Sequence, residues 1–161
     1  MDSKVIQLNY REGDYCISLV TEDDISQAAE VHAAAWRASH RPFCTEEFVT
    51  LHTPERQEGY LRRQMEEGAS IYLLRVSGAP VGIVSIKANV IGDLYILPEE
   101  QRKGYGTKLL RFAIGQCNDT ASLWVLSNNE GAQRLYKRNG FYMTGNTHPL
   151  SETLCELEMK Q

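Results

Sequence analysis

Apolar and polar residues alternate with two distinct periods along this chain, and the switches between them mark its elements. Residues 14–20 (Asp14-Tyr-Cys-Ile-Ser-Leu-Val20) read as a strand bounded by Gly13 and by polar Thr21-Glu22-Asp23-Asp24. From there to about Ala38, the apolar positions Ile25, Ala28, Ala29, Val31, Ala35 and Trp36 recur at helical spacing. Thr21, with Asp24 three residues on, reads as the N-cap of that helix. A second helical region runs from about Thr45 to Met65, with a break at Pro54 and a stop at Gly68. Strand periods then take over. Residues 70–76 and 81–88 flank the turn Ser77-Gly78-Ala79-Pro80, so they form a hairpin. Another strand covers about 91–97 and ends at Pro98.

A helix from Gly104 to about Gln116 places Leu109, Leu110, Ala113 and Ile114 on one face. Residues 122–127 form a short apolar strand of the buried kind. Asn128-Asn129 caps a helix that ends at Asn139-Gly140. Strands at about 141–147 and 153–159 close the chain, the latter interleaving Leu154, Glu156 and Glu158 with Cys155, Leu157 and Met159. Mixed order of this kind indicates an α/β or α+β sheet. The strand–helix–strand unit at 91–127 requires a right-handed crossover and two parallel strands.

Composition narrows the class. The chain has 161 residues, 42% of them hydrophobic and 24% charged, which fits one globular domain spanning 1–161. The longest apolar stretch, around Val81 to Ile86, is far below the roughly 20 residues that cross a bilayer. Met1-Asp2-Ser3-Lys4 lacks the features of a secretory leader, so a cytoplasmic location is expected. The net charge of −4 disfavours nucleic acid as a partner and is compatible with a cationic small substrate. Cys16, Cys44, Cys117 and Cys155 are scattered, with no metal-ligand or disulfide spacing, so neither a metal nor a disulfide framework is expected. No local sequence pairs one of them as a nucleophile with His32, His40, His52 or His148.

The chemistry concentrates in Leu94-Tyr95-Ile96-Leu97-Pro98-Glu99-Glu100-Gln101-Arg102-Lys103-Gly104-Tyr105-Gly106-Thr107-Lys108. A strand, a loop with glycines two apart and a helix start gather free backbone N–H groups at the positive end of a helix dipole. Such a point binds phosphate. Gly104 and Gly106 allow close approach, and Arg102, Lys103 and Lys108 add positive charge. A nucleoside-triphosphate loop needs Gly-x-x-x-x-Gly-Lys-[Ser/Thr], whereas this chain reads Gly-Thr-Lys. A dinucleotide loop needs a third Gly where Leu109 stands.

Gln101-Arg102-Lys103-Gly104-Tyr105-Gly106 resembles the [Gln/Arg]-x-x-Gly-x-[Gly/Ala] motif of the GNAT superfamily of acyl-CoA-dependent N-acetyltransferases. Leu123 through Phe141, with its Asn, its helical Tyr and its Asn-Gly-Phe turn, is similar to the family's later segment. Val31-His32 through Trp36-Arg37-Ala38-Ser39-His40-Arg41 is similar to a bacterial subgroup with a Trp-centred first helix. The resemblance implies a mixed, mostly antiparallel central sheet of about six to seven strands, helices on both faces and one parallel pair at the cofactor cleft. It implies acetyl-CoA as co-substrate, bound by the loop Gln101, Arg102, Lys103, Gly104, Tyr105, Gly106 and Thr107, with its pyrophosphate on the N–H groups of about Arg102 to Thr107. Leu94, Tyr95 and Ile96 would pair with the pantetheine like an added strand, and Asn129 would bond the same arm.

A small or peptidyl primary amine would then attack the thioester in a ternary complex. Such an amine, with a pKa of about 10, is roughly 99.9% protonated at neutral pH and must lose a proton first. A backbone N–H near Ile96 would hold the oxyanion. Tyr136 matches the family's general acid for the departing thiolate. Relatives that acetylate protein N-termini often carry a Glu where Trp124 stands here, so that base is absent. Asp93 is the first substitute, His40 the second, and a water relay the third route. Trp36, His40, Arg41 and Phe43 are expected to shape the acceptor pocket, although Trp36 by spacing alone also reads as core. Members are often homodimers, but nothing in this sequence marks an interface. A non-catalytic acyl-CoA-binding domain is the alternative, and a merely glycine-rich structural module the third reading.

Overall fold

The computed structural model describes residues 9–161, with side-chain surroundings from Glu12 onward. The Met1–Lys4 stretch read above for a leader lies outside the described residues. Eight strands form one sheet: β1 (Asn9–Glu12), β2 (Tyr15–Leu19), β3 (Ser70–Val76), β4 (Ala79–Lys87), β5 (Val90–Ile96), β6 (Ser122–Leu126), β7 (Tyr142–Pro149) and β8 (Cys155–Lys160). Their spatial order is β1-β2-β3-β4-β5-β6-β8-β7. Every neighbouring pair is antiparallel except β5 and β6, which run parallel as the crossover required. The sheet thus has one strand more than the upper expectation. The addition is β1, a short edge strand paired with β2 through Asn9↔Ser18 to Glu12↔Tyr15. Four residues carry too little alternation to announce a strand.

Helices cover both faces. α1 (Ile25–His40) and α3 (Pro54–Glu66) lie on one, joined by the single-turn α2 (Glu46–Thr50). Ala28, Ala29, Val31 and Ile25 from α1 and Leu61 from α3 pack on Ile71, Leu73 and Ile83. The alanines let the helix backbone approach the sheet closely. On the opposite face, Leu109, Leu110, Phe112 and Ala113 of α4 (Tyr105–Gln116) pack on Tyr72, Leu74, Val84 and Ile86. Each of these large side chains contributes about 1.5–3 kcal/mol on burial. Alternate residues of β3, and of β4 from Ile83 onward, divide between the two cores as the two-residue period of a strand demands, while Val81, at a register shift opposite Leu74 and Arg75, joins the α4 core.

Caps set the helix ends. Thr45 and Thr53 accept from the backbone N–H groups of Phe48 and Arg56, and Pro54 opens α3 where its missing N–H costs nothing. Thr21 does not cap α1, contrary to expectation. Asp24 precedes the helix, and its carboxylate reaches back to the Thr21 N–H, so the pair closes the turn ahead of the helix. α5 (Glu130–Arg138) begins at Asn129, whose Oδ1 accepts from Ala132, and ends at Gly140 in the left-handed region.

Gly82 of β4 faces Ile96 and Leu109. A Cβ there would lie 2.5 Å from the Ile96 Cδ1 and 3.2 Å from the Tyr95 carbonyl oxygen. Gly82→Ala is therefore expected to destabilise the fold by roughly 1–3 kcal/mol through overpacking. An unshifted denaturation midpoint would mean that Ile96 yields without cost.

Candidate active site

The parallel contact between β5 and β6 lasts for two residue pairs, Val90↔Ser122 and Ile91↔Leu123. Beyond them β5 stays with β4 and β6 stays with β8, through Trp124↔Glu158 and Leu126↔Glu156. The two strands therefore part, and a cleft of about 1230 Å³ opens between them. Leu97 donates to the Val81 carbonyl and Tyr95 lies opposite Ile83. In an antiparallel ladder this turns the N–H groups of Leu94 and Ile96 away from β4, toward the gap. The strand expected to meet the cofactor thus turns two backbone donors toward the gap. Gln101 fastens the end of that strand by donating to the Ile96 carbonyl at 3.1 Å.

The loop that follows is built to present backbone donors. Arg102 and Gly104 both adopt positive φ, 63° and 87°. Gly104 precedes α4 as its cap, and Lys108 donates the first helical bond, to Gly104. Among the described residues no acceptor takes the N–H groups of Arg102, Lys103, Gly104, Tyr105, Gly106 or Thr107. Six consecutive donors at a helix N-terminus make an anion cradle. Lys103 forms an ion pair with Glu100 at 3.1 Å, and the Lys108 ammonium sits over the Tyr15 ring at 4.8 Å.

Across the gap stands α5, a polar helix with one buried side chain, Tyr136. Its ring packs toward Phe141 and its edge lines the cleft. Burial raises its phenol pKa to about 12, so the group stays protonated throughout the physiological range. Its hydroxyl has no hydrogen-bond partner among the described residues. Asn129, which also lines the cleft, spends its side-chain oxygen on the α5 cap.

At the base of the cleft lies a buried polar group that the sequence did not reveal as a unit. The Asp93 carboxylate accepts from His32 Nε2 at 3.0 Å, from the Tyr60 hydroxyl at 2.9 Å and from the Ser85 hydroxyl at 3.0 Å. Buried Gln57 donates to His32 Nδ1 at 2.9 Å, so the network assigns the ring proton to Nε2. Burial pushes the Asp93 carboxyl up. The hydrogen bond from His32, with those from the Tyr60 and Ser85 hydroxyls, outweighs it and holds the group below the usual carboxylate value. Burial and the Asp93 charge both push the Tyr60 phenol up.

The end of the cleft formed by α1 carries an aromatic group. The rings of His40 and His52 stack on Trp36, with centroids 3.8 and 3.5 Å away, and Phe43 lies beside His40. Trp36, His40 and Phe43 line the cleft. Arg41 does not, because it turns away to an exposed ion pair with Glu46 at 3.1 Å. His40 Nδ1 donates to the Trp36 carbonyl at 2.8 Å, which leaves the Nε2 lone pair open. Desolvation lowers the His40 pKa, the bond to Trp36 raises it, and His52 and His32 lower it further. The net effect lowers the pKa from its usual 6.5, so the neutral ring predominates at pH 7. Glu156 reaches the cleft from β8, beside half-exposed Trp124. The alternation in 153–159 put Glu156 and Glu158 on one face, but only the β6–β8 pairing shows what that face meets. Among the described residues no cluster could hold a metal ion, and no helix is long and apolar enough to cross a membrane.

Comparisons with known proteins agree with this geometry. The family model described as "Acetyltransferase (GNAT) family" matches residues 28–141. An uncharacterised N-acetyltransferase of Methanocaldococcus jannaschii is 27% identical over 142 residues, which cover 79% of this chain and 60% of that protein. The match thus spans less than two thirds of that relative's length. A PaiA N-acetyltransferase of Thermoplasma acidophilum, solved in complex with coenzyme A, superposes with a TM-score of 0.71 at 18% identity, covering 92% of this chain and 99% of that one. The putative acetyltransferase yncA of Salmonella typhimurium, solved with acetyl-CoA, superposes with a TM-score of 0.66 at 17% identity, covering 92% and 94%. These similarities establish a shared fold, and with the family model covering most of the chain, the protein belongs to the GNAT acetyltransferase family.

Proposed function

We propose that this protein transfers an acetyl group from acetyl-CoA to a primary amine, by direct attack within a ternary complex. The observation that carries the reading is the gap between β5 and β6. It sets an unpaired strand edge against a protonated tyrosine across one cleft, whose lining reaches Gln101, next to the run of free N–H groups that begins at Arg102. The two relatives solved with coenzyme A or acetyl-CoA support the choice of cofactor. The pyrophosphate would lie on the N–H groups of Arg102 to Thr107, and the pantetheine along Leu94–Ile96, within reach of Asn129.

In the chemical step the amine nitrogen attacks the thioester carbonyl carbon, the new C–N bond forms and the C–S bond breaks. The oxyanion formed between these events takes a hydrogen bond from the Ile96 N–H. The leaving sulfur takes one from the Tyr136 hydroxyl. With its pKa near 12, Tyr136 is a persistent donor to the thiolate and recovers any transferred proton from solvent. The amine proton leaves through His40 Nε2, directly or through water in the cleft. Asp93 suits that task less well, because three donors occupy its oxygens and its low pKa makes it a weak base. Glu156, with the Trp36, Phe43 and Trp124 rings, favours a cationic acceptor with an apolar portion.

Titration with acetyl-CoA should stabilise the wild type by about 2.7 kcal/mol at one hundred times Kd. Gly104→Trp, which places bulk over the cradle, should abolish the effect. The same stabilisation in both proteins, or in neither, would refute the cradle. Binding without turnover of any amine would leave an acyl-CoA-binding domain instead.

Tyr136→Phe should lower kcat by about 10²-fold and change KM for acetyl-CoA little. His40 acts as the neutral ring, so kcat/KM should fall as pH drops through a value below 6.5. His40→Gln should remove that acid limb. A limb that persists in His40→Gln would assign the proton to water or another group.

A further inference from the structure

We infer that Asp93 is a structural anion, and that His32, Tyr60 and Ser85 act through it as positioning residues that set the register of the reacting half of β5. The inference rests on the acetyl-transfer reading for its catalytic consequence, but its structural part stands on the strand itself. Between Ile83↔Tyr95 and Ser85↔Gly92, two residues of β5, Asp93 and Leu94, oppose Val84 alone. This is a β-bulge, and the extra residue reverses the strand's alternation. Ile91 and Ile96 both enter the core under α4, although they are five residues apart. Tyr95 and Leu97 turn to the α1–α3 face.

The bulge is held in place. Asp93 has a φ of 46°, in the left-handed region that non-glycine residues seldom enter. A backbone of this kind persists only when its surroundings over-determine it. Here three donors from three different elements converge on one carboxylate: His32 from α1, Tyr60 from α3 and Ser85 from β4. Gln57, also from α3, fixes the His32 ring from behind. Three of the four buried polar residues among those described (His32, Gln57 and Ser85) belong to this group. The carboxylate side chain is 14% exposed and that of His32 is 3% exposed, so little solvent competes for these bonds.

Without the bulge, every residue after Gly92 would present the opposite face and edge. The Ile96 N–H would then point into β4 instead of the gap. Asp93 thus controls a donor three residues away. Displacement of a reacting group by about 1 Å can cost about 10²-fold in rate.

The test compares Asp93→Asn, Tyr60→Phe and Ser85→Ala with wild type in three readouts. These are kcat and KM over pH, the Kd of CoA by calorimetry, and hydrogen exchange at the Leu97 amide, which pairs with the Val81 carbonyl. The expected result for Asp93→Asn is a kcat at least about tenfold lower. The Kd of CoA should rise by a smaller factor than kcat falls, because the pantetheine meets the displaced Leu94–Ile96 edge while the free N–H groups of Arg102–Thr107 keep their own loop. Exchange at Leu97 should be faster, and the acid limb of the pH profile should be retained. The single-donor variants should show the same pattern in smaller measure.

Unchanged kcat and unchanged exchange would overturn the inference. So would loss of the acid limb with unchanged exchange, which would make Asp93 the proton acceptor. If Asp93→Asn does not fold, Tyr60→Phe and Ser85→Ala decide by exchange at Leu97: faster exchange upholds the inference and unchanged exchange overturns it. If wild type fails to bind CoA, the acetyl-transfer reading falls, and the exchange measurement still judges the bulge.

Discussion

Two parallel strands that separate after two residue pairs leave backbone groups with no partner inside the sheet. Such a break would cost about 1–3 kcal/mol for each buried group left unsatisfied. It persists because each strand is secured on its other side, β5 by β4 and β6 by β8. The open edge is thus a standing demand for hydrogen bonds, and under the proposed function the amide-bearing arm of the cofactor would answer it. The anion cradle obeys the same logic at the next turn of the chain. Six N–H groups wait there for an acceptor that the protein does not supply. In the proposed function, binding follows from donors left unmet by the fold.

Polar satisfaction elsewhere is complete. Apart from the Tyr136 hydroxyl on the cleft wall, no buried side-chain nitrogen or oxygen among the described residues lacks a partner. The contrast gives the unpaired backbone of the cleft its meaning. Where the fold needs rigidity, as around Asp93, it converges donors from several elements. Where it needs a ligand, it withholds acceptors. The acceptor end differs again: stacked aromatic and imidazole rings form a wall there, with Glu156 as negative charge.

Much of this was legible in the residues. The strand periods of 70–88 and 122–127, the helix stripe at Leu109, Leu110 and Ala113, and the glycine pair at 104 and 106 placed the sheet, the crossover and the cradle. Local rules sufficed because each feature is encoded within a few neighbouring residues. The unread features involve distant partners. Asp93 looks like a strand-end acid until His32, Tyr60 and Ser85 arrive from 61, 33 and 8 residues away. The bulge left no mark of its own, since an aspartate in the left-handed region has no sequence spelling as clear as a glycine. Arg41 read as a pocket residue from its position after His40, but a nearby carboxylate, Glu46, claimed it.

The two tryptophans have an optical consequence. The chain contains only Trp36 and Trp124. One is stacked with two imidazoles and the other stands half-exposed on the cleft wall. An imidazolium quenches indole emission more strongly than neutral imidazole does, so Trp36 should register the charge state of the histidines beside it. Trp124 should register whatever enters between the strands. Intrinsic fluorescence therefore carries two separable channels, protonation and occupancy, without an attached dye.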